Sequence, residues 1–257
     1  MKLEDIKCIG ILGAGVMGGG IAQSAILAGY KVIVRDLTDE ICEKTRDTII
    51  SGRFGIKGGV ERGKNTQEEM DKALSLLNFT TKVEDLKDCD LIIEAIGGGA
   101  DGAIENKPLK LKVFSELDKI VKKDAVFASN TSMYTIADLA VATERKDRFI
   151  GMHLFSPANI MKLVEVTYTK EVTEEVIQLI EELSKSLDKT PVRVKDVPGD
   201  TGFIGNRVMH AARMEAMKIV EQGIATAEDV NTAMMLGFRW PAGPLPLAGP
   251  GARSGWQ

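Results

Sequence analysis

Cysteine, histidine and aromatic side chains are scarce in this sequence, and each shortage removes a class of function. The 257 residues hold three cysteines, Cys8, Cys42 and Cys89, with no C-x-x-C spacing. Neither a disulfide framework nor a zinc site is expected from so few, and no metal is assigned. They read as buried thiols of a protein kept in a reducing compartment, the cytoplasm. No apolar run approaches the roughly 18 residues a membrane span needs, so no membrane association is expected. The opening Met1-Lys2-Leu3-Glu4-Asp5 is charged and leads straight into a strand. Positive charge is not in excess either: 33 Lys and Arg stand against 37 Asp and Glu, for a net charge of -4. That balance excludes a nucleic-acid partner recognised through a basic surface. With only two histidines, His153 and His210, imidazole chemistry is confined to two positions.

What is present is an alternation of short apolar runs and helical patterns. Residues 6–12 form an apolar run ending in glycines, which suits a buried strand. Helical spacing follows over 16–27 and stops near Gly29, and residues 31–36 read as a second strand closing on an acid. Two helices are expected at 39–51 and 66–77, with the glycine-rich, basic stretch 52–64 between them. Short strands at 79–81 and 90–96, an amphipathic helix over 110–121 and a buried strand at 125–129 continue the alternation. It predicts an α/β fold, a Rossmann-type doubly wound sheet with a helical hairpin insertion. Beyond residue 148 the pattern changes. Strands at 149–153 and 161–167 flank a short turn containing Ser156-Pro157, which forces an antiparallel pair. A helix over 173–186 and a strand around 192–194 close a first domain, residues 1–200. The remainder, 201–257, reads as an incomplete all-helical domain. Its helices are expected at 204–221, stopped by Gly223, and at 226–235, with Thr226 and Asp229 as a capping pair.

Gly13-Ala14-Gly15-Val16-Met17-Gly18 is a G-x-G-x-x-G motif. Gly13 permits a tight turn, Gly15 lets backbone approach a pyrophosphate, and Gly18 lets helix and strand pack closely. The phosphates then meet the helix N-terminus, whose free N–H groups and dipole favour negative charge. The motif follows a strand, opens a helix and is completed by Asp36 at the end of the next strand, the context that gives it meaning. Asp36 suits the ribose 2'-hydroxyl of NAD and repels a 2'-phosphate. Arg35, which suits NADP, points to the other side by strand alternation. Gly13, Gly15, Val16, Met17, Gly18 and Asp36 are the expected cofactor-binding residues.

The hairpin over 149–167 has its centre near Asn159, so Glu165 lies opposite His153. A carboxylate bonded to an imidazole fixes its tautomer and stabilises its charged form. Such a dyad suits reversible proton transfer to a hydroxyl that is losing hydride. A satisfied core or surface pair fits the spacing equally well.

Four ordered motifs carry a resemblance: residues 13–22 around the glycines, Ser129-Asn130-Thr131-Ser132, His153-Leu154-Phe155-Ser156-Pro157 with Met161-Lys162-Leu163-Val164-Glu165-Val166, and Gly202-Phe203-Ile204-Gly205-Asn206-Arg207. Together they resemble the L-3-hydroxyacyl-CoA dehydrogenases, in particular those of the 3-hydroxybutyryl-CoA type, from about residue 5 to residue 247. The resemblance implies NAD as cofactor, an acyl-CoA as substrate and a place in fatty acid metabolism. It implies His153 as catalytic base, Glu165 as its orienting partner, and Ser132 and Asn206 as donors to the substrate oxygen. It implies that Glu105 and Lys110 lie near the nicotinamide ribose and that the helical insertion is an acyl-CoA arm. Arg53, Lys57, Arg62 and Lys64 would then meet CoA phosphates, although a solvated face explains such a cluster as well.

Three features depart from the family pattern. Ser156 stands where the family usually has asparagine. The stretch 97–103, Gly97-Gly98-Gly99-Ala100-Asp101-Gly102-Ala103, lengthens a loop expected to border the nicotinamide, and reads as a passive insertion. At Pro246 the match to the family's dimer-forming helices breaks off, which counts against a family-like homodimer. Two other classes stay open at this point. One is an NAD-dependent dehydrogenase of free hydroxy acids, for which Lys218 is the candidate lysine without a supporting motif. The other is a non-catalytic NAD-binding relative.

Overall fold

The computed structural model describes residues 1–97, 105–199 and 201–246. All but Gly97 of the glycine-rich stretch, and the tail beyond residue 246, lie outside the described residues. The chain divides into two compact units, Met1–Thr201 and Gly202–Gln257.

The first unit opens with β1 (Cys8–Leu12), α1 (Val16–Leu27) and β2 (Lys31–Arg35). There follow α2 (Asp39–Ser51), α3 (Ile56–Glu61), α4 (Gln67–Ser75), β3 (Leu77–Thr80), β4 (Leu91–Glu94), α5 (Lys107–Ile120), β5 (Val126–Ser129) and α6 (Ile136–Ala140). The unit closes with β6 (Phe149–Leu154), β7 (Leu163–Tyr168), α7 (Glu174–Ser186) and β8 (Thr190–Lys195). One eight-stranded sheet runs β3-β2-β1-β4-β5-β6-β7-β8. Every pair is parallel except β6 with β7. The doubly wound sheet and its antiparallel addition are borne out.

Strand alternation sorts the core onto two faces. Ile9, Ile11, Leu91, Ile93, Val126, Ala128, Ile150 and Met152 pack on one side with Ile21, Ala22, Ala25 and Ile26 of α1 and Ile177, Ile180 and Leu183 of α7. Leu12, Ile92, Phe127 and Phe149 pack on the other with Val113, Phe114 and Leu117 of α5 and Ile136 and Leu139 of α6. Phe114 meets Phe149 edge-on at 4.7 Å between ring centroids, a geometry that adds to simple burial. Arg145, also buried, closes the C-terminal end of α5. Its guanidinium pairs with Asp118 at 2.6 Å and donates to the carbonyls of Asp118, Val121 and Lys122, the group type that helix end needs.

Helix starts follow the sequence. Thr38, Asn106 and Thr173 accept from backbone N–H groups at the starts of α2, α5 and α7, and Thr66 with Glu69 forms a capping box on α4. The insertion adds a helix to which the sequence reading assigned no element: α3 lies inside the glycine-rich stretch between α2 and α4. Gly58 and Gly59 argue against a helix by propensity. Packing overrides them, because Ile56 and Gly59 are buried and a Cβ on Gly59 would stand 2.8 Å from Asn65 Oδ1.

The second unit holds α8 (Gly205–Glu221) and α9 (Ala227–Phe238), the latter opened by the expected Thr226–Asp229 capping box and running three residues further than its spacing suggested. Gly223, at φ +67°, ends the first helix. Ala216, Val230 and Leu245 form a small core. Asn231 ties the last segment to α9, donating to the Leu245 carbonyl at 2.9 Å and accepting from its N–H at 3.0 Å.

Candidate active site

Register places the candidate residues of the first unit along one edge. Arg35, Leu12, Glu94, Ser129, Gly151 and Thr167 are successive partners across β2, β1, β4, β5, β6 and β7. Asp36, the glycine loop, Ser132 and His153 follow within a few residues at the carboxyl ends of parallel strands, where open α/β sheets bind ligands. Strand order reverses between β1 and β4.

The glycine loop is built as its spacing predicts. Gly13 has φ +94°, and a Cβ there would stand 2.7 Å from the Ala95 carbonyl oxygen. A Cβ on Gly18 would lie 1.8 Å from the Gly13 oxygen, so no larger residue fits. Gly15 has no atom within 4 Å of where a Cβ would be, and it caps α1 with no side-chain bond. That leaves an open cradle at a helix N-terminus, suited to a pyrophosphate. Val16 beside it is 77% exposed, and Met17 is half-buried. Asp36 closes the cradle, accepting from Ala14 N at 2.5 Å and Leu37 N at 2.6 Å. Arg35 turns away and donates to the Thr81 carbonyl. The residues present therefore fit NAD.

Beside the loop lies a buried polar cluster. Glu94, with no solvent exposure, accepts from Lys110 Nζ at 2.5 Å, Ile96 N at 2.7 Å and Ser129 Oγ at 2.6 Å. Lys110, 1% exposed, also meets Glu105 at 3.2 Å. Glu105 accepts from Thr131 Oγ1 at 2.5 Å, Ser132 N at 2.8 Å and Ser132 Oγ at 3.2 Å. Burial pushes the Glu105 carboxyl up, but Lys110, the Thr131 hydroxyl and the Ser132 N–H outweigh it and hold the group below the usual carboxylate range. The Lys110 ammonium is thus enclosed between two carboxylates.

His153 and Glu165 are register partners across the antiparallel pair, and their Nδ1 and Oε2 atoms are 2.7 Å apart. Both are buried, and Phe155 packs against the imidazole at 4.7 Å between centroids. Asn130 accepts from the Leu154 N–H at 2.8 Å, fixing the end of the histidine strand to the end of β5. The turn between the two strands is tied down by residues the sequence reading passed over. Buried Lys189 donates to the carbonyls of Ala158 at 2.6 Å and Met161 at 2.9 Å. Burial first, and then the charge of Lys162, push its ammonium pKa down. Asn159 donates to Gln23 of α1 and to the Phe54 carbonyl of the insertion, both at 3.1 Å. Glu94 carried a signal, an acid ending the apolar run Leu91-Ile92-Ile93; Lys189 carried none.

Arg53, Lys57, Arg62 and Lys64 are all exposed on the insertion. Arg53 stacks over Phe54 at 5.2 Å. Asn206 is exposed in the first turn of α8, in the second unit, and Lys218 on the same helix pairs with Glu215 at 3.3 Å.

Two sequence models match the chain. That of the 3-hydroxyacyl-CoA dehydrogenase NAD-binding domain covers residues 8–197, and that of the C-terminal domain of the same enzymes covers 202–249. The probable 3-hydroxybutyryl-CoA dehydrogenase of Deinococcus radiodurans is 38% identical over 239 residues, covering 93% of this chain and 81% of its own length. The mitochondrial hydroxyacyl-coenzyme A dehydrogenase of Sus scrofa is 38% identical over 245 residues, 94% of this chain and 75% of its own. The crystal structure of (S)-3-hydroxybutyryl-CoA dehydrogenase from Ralstonia eutropha superposes with a TM-score of 0.86 at 37% identity, over 95% of this chain and 81% of that one.

Proposed function

The chain belongs to the 3-hydroxyacyl-CoA dehydrogenase family, and from that premise we propose that it interconverts an L-3-hydroxyacyl-CoA and the 3-ketoacyl-CoA, with NAD as the partner in hydride transfer. The observation that carries the reading is the His153–Glu165 pair, buried and bonded at 2.7 Å, at the same sheet edge as the glycine cradle. Bound NAD supplies the acceptor for the hydride that leaves carbon 3 as the hydroxyl becomes a carbonyl.

The protein supplies the proton handling. In oxidation the His153 imidazole takes the hydroxyl proton at Nε2 while Nδ1–H donates to Glu165, whose charge stabilises the imidazolium. In reduction the same imidazolium returns the proton to the new alkoxide. Ser132 holds the reacting oxygen through its hydroxyl, which turns from Glu105 to do so, and Asn206 is assigned the same task from the second unit. Gly13, Gly15, Val16, Met17 and Gly18 seat the dinucleotide phosphates, and Asp36 the adenosine ribose. Glu105 and Lys110 lie toward the nicotinamide ribose. Arg53, Lys57 and Lys64, with Arg62, offer charge-assisted bonds to CoA phosphates from the insertion. The finer setting is a role in β-oxidation in the cytoplasm, which the free thiols Cys8, Cys42 and Cys89 suit.

The test compares NADH consumption with acetoacetyl-CoA and with free acetoacetate. The proposal requires saturable turnover of the thioester and a large loss of kcat/KM for the free acid. Equal turnover of both would transfer the assignment to the free hydroxy acid class.

A further inference from the structure

We propose that Glu94 sets the charge of the nicotinamide end of the cofactor site, holding it net negative so that the oxidised cofactor is favoured over the reduced one. The inference rests on the reading above that NAD binds in the glycine-loop crevice. Glu94 is the last residue of β4, the strand beside β1 at the reversal of strand order. The backbone of the next residue, Ala95, packs on Gly13 and donates its N–H to the Leu12 carbonyl. The carboxylate is therefore anchored one residue from the loop.

Its other contacts do not require a charge. An amide in its place keeps the Ile96 N–H on its oxygen and presents its NH2 to Ser129, whose hydroxyl can turn from donor to acceptor. Among the described residues the charge is answered by Lys110 alone, and Lys110 is shared with Glu105. Among these described groups two carboxylates face one ammonium, leaving one net negative charge, with Glu94 and Lys110 closed to solvent and Glu105 partly buried. The nearby Lys107–Asp138 pair is half-exposed and self-neutral. Oxidised nicotinamide carries a formal positive charge and reduced nicotinamide carries none. A buried charge is weakly screened, so the cluster stabilises the first and not the second. Glu94 acts here as a positioning and charge-setting residue; it need not touch the substrate.

Calorimetric titration of the full chain with NAD+ and with NADH tests this, for wild type, Glu94→Gln and Ser129→Ala. Glu94→Gln is expected to raise the ratio Kd(NAD+)/Kd(NADH) at least about twofold, the least a unit charge about 10 Å away contributes even at the dielectric of water. Ser129→Ala removes a hydrogen bond from Glu94 without removing charge, and leaves the ratio unchanged. Equal weakening of both cofactors in Glu94→Gln, or an equal shift of the ratio in Ser129→Ala, would overturn the inference. Should Glu94→Gln not fold, Glu105→Gln removes the same unit of charge and must move the ratio the same way; an unmoved ratio there overturns it too. A wild type that binds neither cofactor defeats the underlying reading, whereas one that binds both with an unmoved ratio in the variants defeats this inference alone.

Discussion

Replacing Glu165 by glutamine keeps the shape of the dyad and removes its charge. The pair is enclosed, with His153 5% exposed and Glu165 fully buried, so water cannot replace the lost carboxylate. Hydrogen bonds to charged groups contribute about 1.5–3 kcal/mol and neutral ones about 0.5–1.5. The imidazolium formed during oxidation therefore loses about 1–2 kcal/mol of stabilisation, a fall in kcat of about 5- to 30-fold. If the amide presents its N–H to Nδ1, the ring proton moves to Nε2 and the acceptor is lost. The fall then grows toward the about 10²–10⁴ that general base catalysis supplies. The assay is steady-state NADH formation from (S)-3-hydroxybutyryl-CoA in H2O and D2O, with NADH affinity and thermal melting measured in parallel. The expected result is a reduced kcat, a larger solvent isotope effect, and an unchanged Kd for NADH. A kcat within twofold of wild type, in a folded variant, would refute the assignment of proton transfer to this pair.

Three further outcomes follow from the packing. Gly18→Ala puts a methyl 1.8 Å from the Gly13 oxygen, so the loop must shift; a stability loss of about 1–3 kcal/mol and at least about tenfold weaker NAD binding are expected by denaturant titration and calorimetry. Asn231→Ala strands both backbone groups of Leu245 and should cost about 2–4 kcal/mol, read as earlier loss of hydrogen-exchange protection in α9. Glu105 and Asp118 have folded pKa values below their ordinary ones. Their contribution is present above the ordinary carboxylate range and is lost as pH falls through the lowered values. Stability measured by denaturant titration should thus fall steeply only below about pH 4, and Glu105→Gln should flatten that slope.

Much of the fold was legible because its period is local. Alternation in β1, β4, β5 and β6 assigns each side chain to a face before any contact is known. The His153–Glu165 pairing was legible for a related reason: a short antiparallel connection fixes register, and residues equally distant from its centre must meet. The sequence reading assigned no element at α3, where Gly58 and Gly59 give no helical signal and the burial of Ile56 and Gly59 supports the helix. The ties on the histidine turn were invisible for want of any local signal. Lys189 lies 31 residues from Ala158, and Gln23 lies 136 from Asn159. Glu94 showed only that an acid ended an apolar strand; its enclosure by Lys110 and Ser129 depends on three elements meeting.

The central claim is that one imidazole carries the proton while NAD carries the hydride. NADH-linked turnover of acetoacetyl-CoA by wild type and His153→Ala tests it most directly, with NADH binding measured on both. The account predicts ready turnover by wild type and a loss of about 10²–10⁴ in kcat for the variant, with NADH bound equally well. Turnover by His153→Ala at the wild-type rate, or a wild type that binds NADH and acetoacetyl-CoA without reacting them, would contradict it.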